Sequence, residues 1–144
     1  MNSPGGSLGE ALRIGEFIRS TGLATHVLNN ATYASACVIV FGGGLIRTAS
    51  PNAKIGVHMA SAVLNDRFVD AMDEIIVEHG VEATPLVVAM FEKIAAVGML
   101  AQVYFILKAG VSLKLLEATT TVPHHEIFWI STDQEKSVNL INYY

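Results

Sequence analysis

Residues 2–6 read Asn2-Ser3-Pro4-Gly5-Gly6, and residues 33–37 read Tyr33-Ala34-Ser35-Ala36-Cys37. The first stretch is a Pro-Gly-Gly turn that opens a helical pattern. Glycine lets the backbone turn an N–H outward, and a helix start favours negative charge nearby. The second stretch sets one serine between two alanines, where a strand and turn enter an apolar, helix-sized run. Its hydroxyl can therefore be approached. A third stretch, Ser50-Pro51-Asn52-Ala53-Lys54-Ile55-Gly56-Val57-His58, is a turn followed by a strand that ends on a histidine. Strand ends are where α/β folds put their chemistry.

Around these stretches the first half alternates strands and helices with short links. The pattern predicts a helix over 7–21, with Leu8, Ala11, Leu12, Gly15 and Ile18 on one face. Glu10, Arg13, Glu16 and Arg19 fill much of the rest, and Gly22 ends it as a C-cap. Strands are expected over 24–28, 45–49 and 54–58, with turns at 29–32 and 50–52. The apolar run 35–41 stops at Gly42-Gly43-Gly44. Such alternation favours an α/β fold. The second half is more helical. Helices are expected over 66–78 and 85–108, broken near Gly80, and over 112–119 with Ser112 as cap. A strand over 127–130 leads to Ser131, which caps a brief helix with Gln134 or Glu135 at the reciprocal position. Residues 138–141 are expected to form a last edge strand.

Composition narrows the partners. A chain of 144 residues makes one domain with a real core. Hydrophobic residues are 51% and charged residues 15%, and mean hydropathy is +0.45. That apolar balance points to buried subunit contacts, or to a surface that another part of the protein covers. The net charge of -4, without a Lys/Arg cluster, speaks against nucleic acid as a partner. One cysteine excludes an intrachain disulfide, and Cys37 reads as a small buried hydrophobe. The polar, glycine-rich start is unlike a signal peptide. The run 94–107 is short for a membrane span, contains Gln102 and follows Glu92 and Lys93. It reads as a buried helix, so no transmembrane segment is expected and a genuine start would imply a cytoplasmic protein.

A serine hydrolase needs an oxygen nucleophile, a base and N–H donors for the oxyanion. Gly5-Gly6, Ser35 and His58 supply those types. An imidazole titrates near neutrality, as a general base should. Plainer readings exist for each. Ser35 alone reads as a helix N-cap. His58 alone reads as a core histidine. Gly5-Gly6 alone reads as a tight turn or an anion-binding helix start. No Lys-Ser/Thr pair follows the glycines, which argues against a P-loop. His26, His79, His124 and His125 lack metal-ligand spacing, so no metal is expected.

Taken together, the three stretches resemble the proteolytic subunit of the Clp protease, within the Clp/crotonase superfamily. Asn2-Ser3-Pro4-Gly5-Gly6 looks like its oxyanion motif, Ala34-Ser35-Ala36-Cys37 like its nucleophile turn, and residues 50–58 like the strand with its catalytic histidine. The order and spacing fit: 32 residues from Ser3 to Ser35, and 23 from Ser35 to His58. A weaker likeness covers residues 104–142, where Phe128-Trp129-Ile130-Ser131-Thr132-Asp133-Gln134-Glu135 resembles the family's tail. The resemblance implies Ser35 as nucleophile, His58 as base, and the N–H groups of Gly6 and Ala36 as oxyanion donors. It implies repeated β-β-α units with a helical C-terminal half, the first strands lacking. It divides the chain into a core over 1–61, a helical insertion or handle over 62–110, and a closing helix with edge strands over 111–144. It also implies a peptide or unfolded-protein substrate, a homo-oligomer, an ATPase partner of open identity and no cofactor.

The family's third member is an aspartate just before the tail motif. Counting back from Ile130-Ser131 lands on Ile127. Glu126 is one residue off and is the candidate, although one residue reverses side-chain direction on a strand. His124, His125 and Asp133 are polar neighbours. Three functions follow: a serine peptidase, a catalytically impaired Clp-like subunit or scaffold, and a crotonase-type acyl-CoA site. The Ser/His pairing speaks against the third.

Overall fold

Ser7 starts the first helix. Its hydroxyl accepts from the Glu10 N–H, and α1 runs over Leu8–Ser20. This capping satisfies one of the N–H groups that a helix start leaves open. Gly22, at φ 72°, turns the chain out of it. Ala11 and Gly15 are the buried face. Glycine is needed at position 15, because a Cβ would lie 2.7 Å from Phe105 Cζ and 2.9 Å from the Ile39 carbonyl. In this computed structural model, residues 2–60 and 66–143 are described.

The strands follow in short pieces: β1 over Thr25–Val27, β2 over Thr32–Ala34, then α2 over Cys37–Gly42, β3 over Arg47–Ala49 and β4 over Lys54–Val57. β1 pairs with β3, and β2 with β4, both in parallel. Parallel neighbours need a crossover, and α2 lies between the partners of both pairs. The last strand, β5 over Phe128–Ile130, adds antiparallel to β4. The result is mixed α/β with two small sheets, ordered β1-β3 and β2-β4-β5. Val27, Phe41, Ile55 and Leu140 are among the most deeply buried side chains, and Phe41 meets Tyr33 edge-to-face at 6.2 Å.

Two compact units can be separated. One comprises Met1–Ala60 with Ala101–Tyr144, and the other Ser61–Leu100. The second holds α3 over Asp66–His79, a left-handed Gly80 at φ 71°, a 3-10 turn over Val81–Ala83 and most of α4, which runs over Thr84–Ala109. Then come α5 over Lys114–Thr121 and α6 over Thr132–Ser137. α6 begins with the expected capping box: Ser131 accepts from Gln134, whose side chain accepts from the Ser131 N–H.

Two expectations are corrected. Residues 138–141 are not a strand. Asn139 is left-handed at φ 55°, and the N–H groups of Asn139 and Leu140 donate to Lys136 and Glu135. That is a Schellman closure of α6, which satisfies helix carbonyls instead of a ladder. The run 94–107 is likewise not a buried helix. Its helix begins ten residues before the run, and the stretch Val81–Ala109 is long and apolar enough to cross a membrane. Only 11% of its most apolar window is buried.

The C-terminal tail is held by Arg47, which is 1% exposed. Nε donates to Leu140 O at 2.8 Å, Nη1 to Gly44 O at 2.9 Å and Ala109 O at 3.1 Å, and Nη2 to Asn139 O at 2.7 Å. The guanidinium thus satisfies four main-chain carbonyls from three parts of the chain. Burial, with Arg19 nearby, lowers its pKa. Asn142 adds a second tie, donating its N–H to Arg47 O and accepting the Arg47 N–H at its Oδ1.

Candidate active site

The N-terminal turn is brought to Ser35 by strand pairing. Ser3 bridges Tyr33 in parallel. Its N–H donates to Thr32 O at 2.9 Å and its carbonyl accepts from Ala34 at 3.2 Å. Asn2 Oδ1 also accepts from the Thr32 N–H at 2.8 Å. Two residues further along each strand, Gly5 therefore lies beside Ser35. A Cβ on Gly5 would sit 2.6 Å from Ser35 Cβ and 3.0 Å from Ser35 Oγ, and the backbone there has φ 117°. Only glycine fits that conformation and that approach.

Ser35 occupies the step between β2 and α2 with φ 55°. A non-glycine residue in this region carries strain of order 1–3 kcal/mol, and such strain concentrates at functional sites. A strand-to-helix turn of this kind projects a serine away from the sheet. The Ser35 N–H donates to Gly56 O at 2.9 Å, which fixes the turn against β4. Neither the Gly6 N–H nor the Ala36 N–H donates to another group among the described residues. Both of the expected oxyanion donors are thus left open beside the serine turn.

His58 follows the last residue of β4, two positions beyond Gly56. Its Nδ1 lies 2.9 Å from the carbonyl oxygen of Met59. A carbonyl only accepts, so a neutral ring making this contact carries its proton on Nδ1 and leaves the lone pair on Nε2. That is the tautomer a general base needs. Among the described residues, no hydrogen bond joins Ser35 Oγ to His58. Catalytic contacts of this kind are often long before substrate binds.

Glu126 is not brought to His58. Its carboxylate lies 3.7 Å from His125 Nε2, with the side chain 65% exposed. Position 127 faces the site instead, because a Cβ on Gly56 would lie 2.5 Å from Ile127 Cγ2. With Pro4, Thr32, Ala34 and Trp129, Ile127 also lines a shallow apolar groove of about 260 Å³ beside the turn. The Met59 carbonyl was not legible in the sequence, since a main-chain acceptor has no side-chain signature.

A serine–histidine contact is made elsewhere, on the β1–β3 sheet. His26 Nδ1 is 2.7 Å from Thr48 Oγ1, and Nε2 is 3.2 Å from Ser50 Oγ. It lacks oxyanion donors: the Ser50 N–H is engaged by Val27 O, and Pro51 follows without an N–H. No protein-family model matches the chain, and neither a curated protein nor a solved structure is similar enough to count as a match.

Proposed function

We propose that this chain is a serine hydrolase of the Clp-like class, acting on peptide bonds. The observation that carries the reading is the close approach of Gly5 to Ser35, two motifs 30 residues apart in sequence. The open N–H groups of Gly6 and Ala36 and the Nδ1-protonated His58 support it.

In this mechanism Ser35 Oγ attacks the peptide carbonyl carbon and its proton passes to His58 Nε2. The carbonyl oxygen becomes an oxyanion held by the Gly6 and Ala36 N–H groups. Collapse breaks the C–N bond, and the amine leaves with the proton from His58. Water, deprotonated by His58, then releases the acyl group from Ser35. The substrate is a peptide or an unfolded segment. The exposed apolar surface of α4 supports assembly with further copies of the chain.

A second reading is a catalytically impaired subunit or scaffold of the same class. The absence of a carboxylate on His58 among the described residues favours it. A fluorophosphonate probe separates the two. The hydrolase is expected to label at Ser35, and Ser35→Ala to abolish labelling. A folded wild-type chain that takes up no probe at Ser35 rejects the hydrolase and leaves the scaffold.

A further inference from the structure

We infer that the main-chain carbonyl of Met59 positions the imidazole of His58, and that Ile127 stands where a carboxylate would otherwise do so. The inference rests on the serine-hydrolase reading.

The first support is the 2.9 Å contact from His58 Nδ1 to Met59 O. Met59 is itself tied down, since its N–H donates to Val122 O at 2.8 Å, just past the end of α5. The acceptor is therefore held in place from outside its own turn. A neutral carbonyl can fix the tautomer and the ring plane. It offers no full negative charge to the imidazolium that forms when Ser35 gives up its proton.

The second support is register. In the β4–β5 pair Ile55 faces Ile130, Gly56 faces Trp129 and Val57 faces Phe128. Carried one step beyond the paired residues, the same register sets His58 opposite Ile127. Side chains alternate along a strand. Ile127 Cγ2 and Trp129 Cε3 lie 2.5 Å and 2.7 Å from where a Gly56 Cβ would be, so both lie over the face of Gly56. Carried one residue past β4, the alternation puts His58 on that face as well. By that extended register Ile127 is the residue opposite the histidine, and it carries no charge. Glu126, one residue away, turns to His125. Met59 is accordingly a positioning residue that acts through His58.

Two measurements on the full chain test this. Ring nitrogen NMR of wild type is expected to show neutral His58 protonated at Nδ1. Ile127→Asp is expected to raise the rate of fluorophosphonate labelling at Ser35 by roughly tenfold or more, since an orienting acid is worth up to about 10⁴ in a full triad. Ile127→Asn has nearly the same shape without the charge and is expected to stay within about twofold of wild type. A neutral ring protonated at Nε2 overturns the inference. So does an Ile127→Asp chain that keeps its fold and gains no rate over Asn. Because the NMR readout needs no turnover, absent labelling with the Nδ1 proton in place counts against the hydrolase reading alone.

Discussion

The Ser35 N–H donates to the carbonyl of Gly56 at 2.9 Å, and this bond registers the serine turn against the strand that leads into His58. Gly56 has no side chain, so Ile127 and Trp129 of the neighbouring chain segment fold over it. The serine and the histidine are therefore set by two adjacent strands of one sheet, and the glycine turn by a bridge to the outer strand.

Gly5→Ala is expected to reduce fluorophosphonate labelling of Ser35 at least about tenfold. The new Cβ would press on Ser35 Cβ and Oγ at φ 117°, which costs roughly 1–3 kcal/mol locally. Labelling rate, set beside the urea midpoint, checks it. Unchanged labelling would mean that the turn does not shape the site.

Arg47→Ala is expected to destabilise the chain by about 3 kcal/mol or more. It leaves the carbonyls of Gly44, Ala109, Asn139 and Leu140 without their donor, and unsatisfied buried acceptors are costly. The urea unfolding midpoint reports it. A shift of under about 1 kcal/mol would show that water replaces the guanidinium.

Glu135 is 4% exposed, and burial, partly opposed by Lys136, pushes its carboxyl up to about 7. The native state then binds the proton more tightly than the unfolded chain. Stability from this group is full at acid pH and falls as pH rises from about 4.5 to about 7. Glu135→Gln is expected to stabilise the chain at pH 8 by roughly 3 kcal/mol and to change little near pH 4. Denaturation at the two pH values measures the difference. Equal effects at both would remove the titration.

On α4, Val97, Leu100, Tyr104 and Leu107 recur at intervals of three, four and three residues, and all are exposed, Tyr104 by 69%. This spacing makes a seam for another helix. If the seam joins copies of the chain, wild type sediments as an oligomer and the pair Leu100→Glu, Tyr104→Glu shifts it to monomer. A monomeric wild type would leave the seam without that role.

Local signals carried much of the architecture. Ser131 marks a helix start because a capping hydroxyl acts within three residues. The strand, serine and helix order around Ser35 was legible for the same reason, and the motif spacing pointed Gly5 towards Ser35. What escaped depends on distant or main-chain groups. Residues 138–141 look like a strand until Asn139 closes α6 and a guanidinium more than 90 residues away takes the tail carbonyls. The hydropathy of residues 94–107 says that they are apolar, not what covers them. Ile127 was reached by counting, but the acceptor actually on His58 is a backbone oxygen.

The partners of the Arg47 guanidinium lie 62 to 93 positions away, apart from Gly44. During synthesis the arginine emerges long before Asn139 and Leu140 exist. Until then only Gly44 and Ala109 can supply two of its four acceptors, and water must supply the others. Asn139 and Leu140 thus act as a completion signal for this part of the core. A nascent or truncated chain that stops short of residue 139 would expose its future core to chaperones and proteases, whereas one that includes Asn139 and Leu140 closes over it.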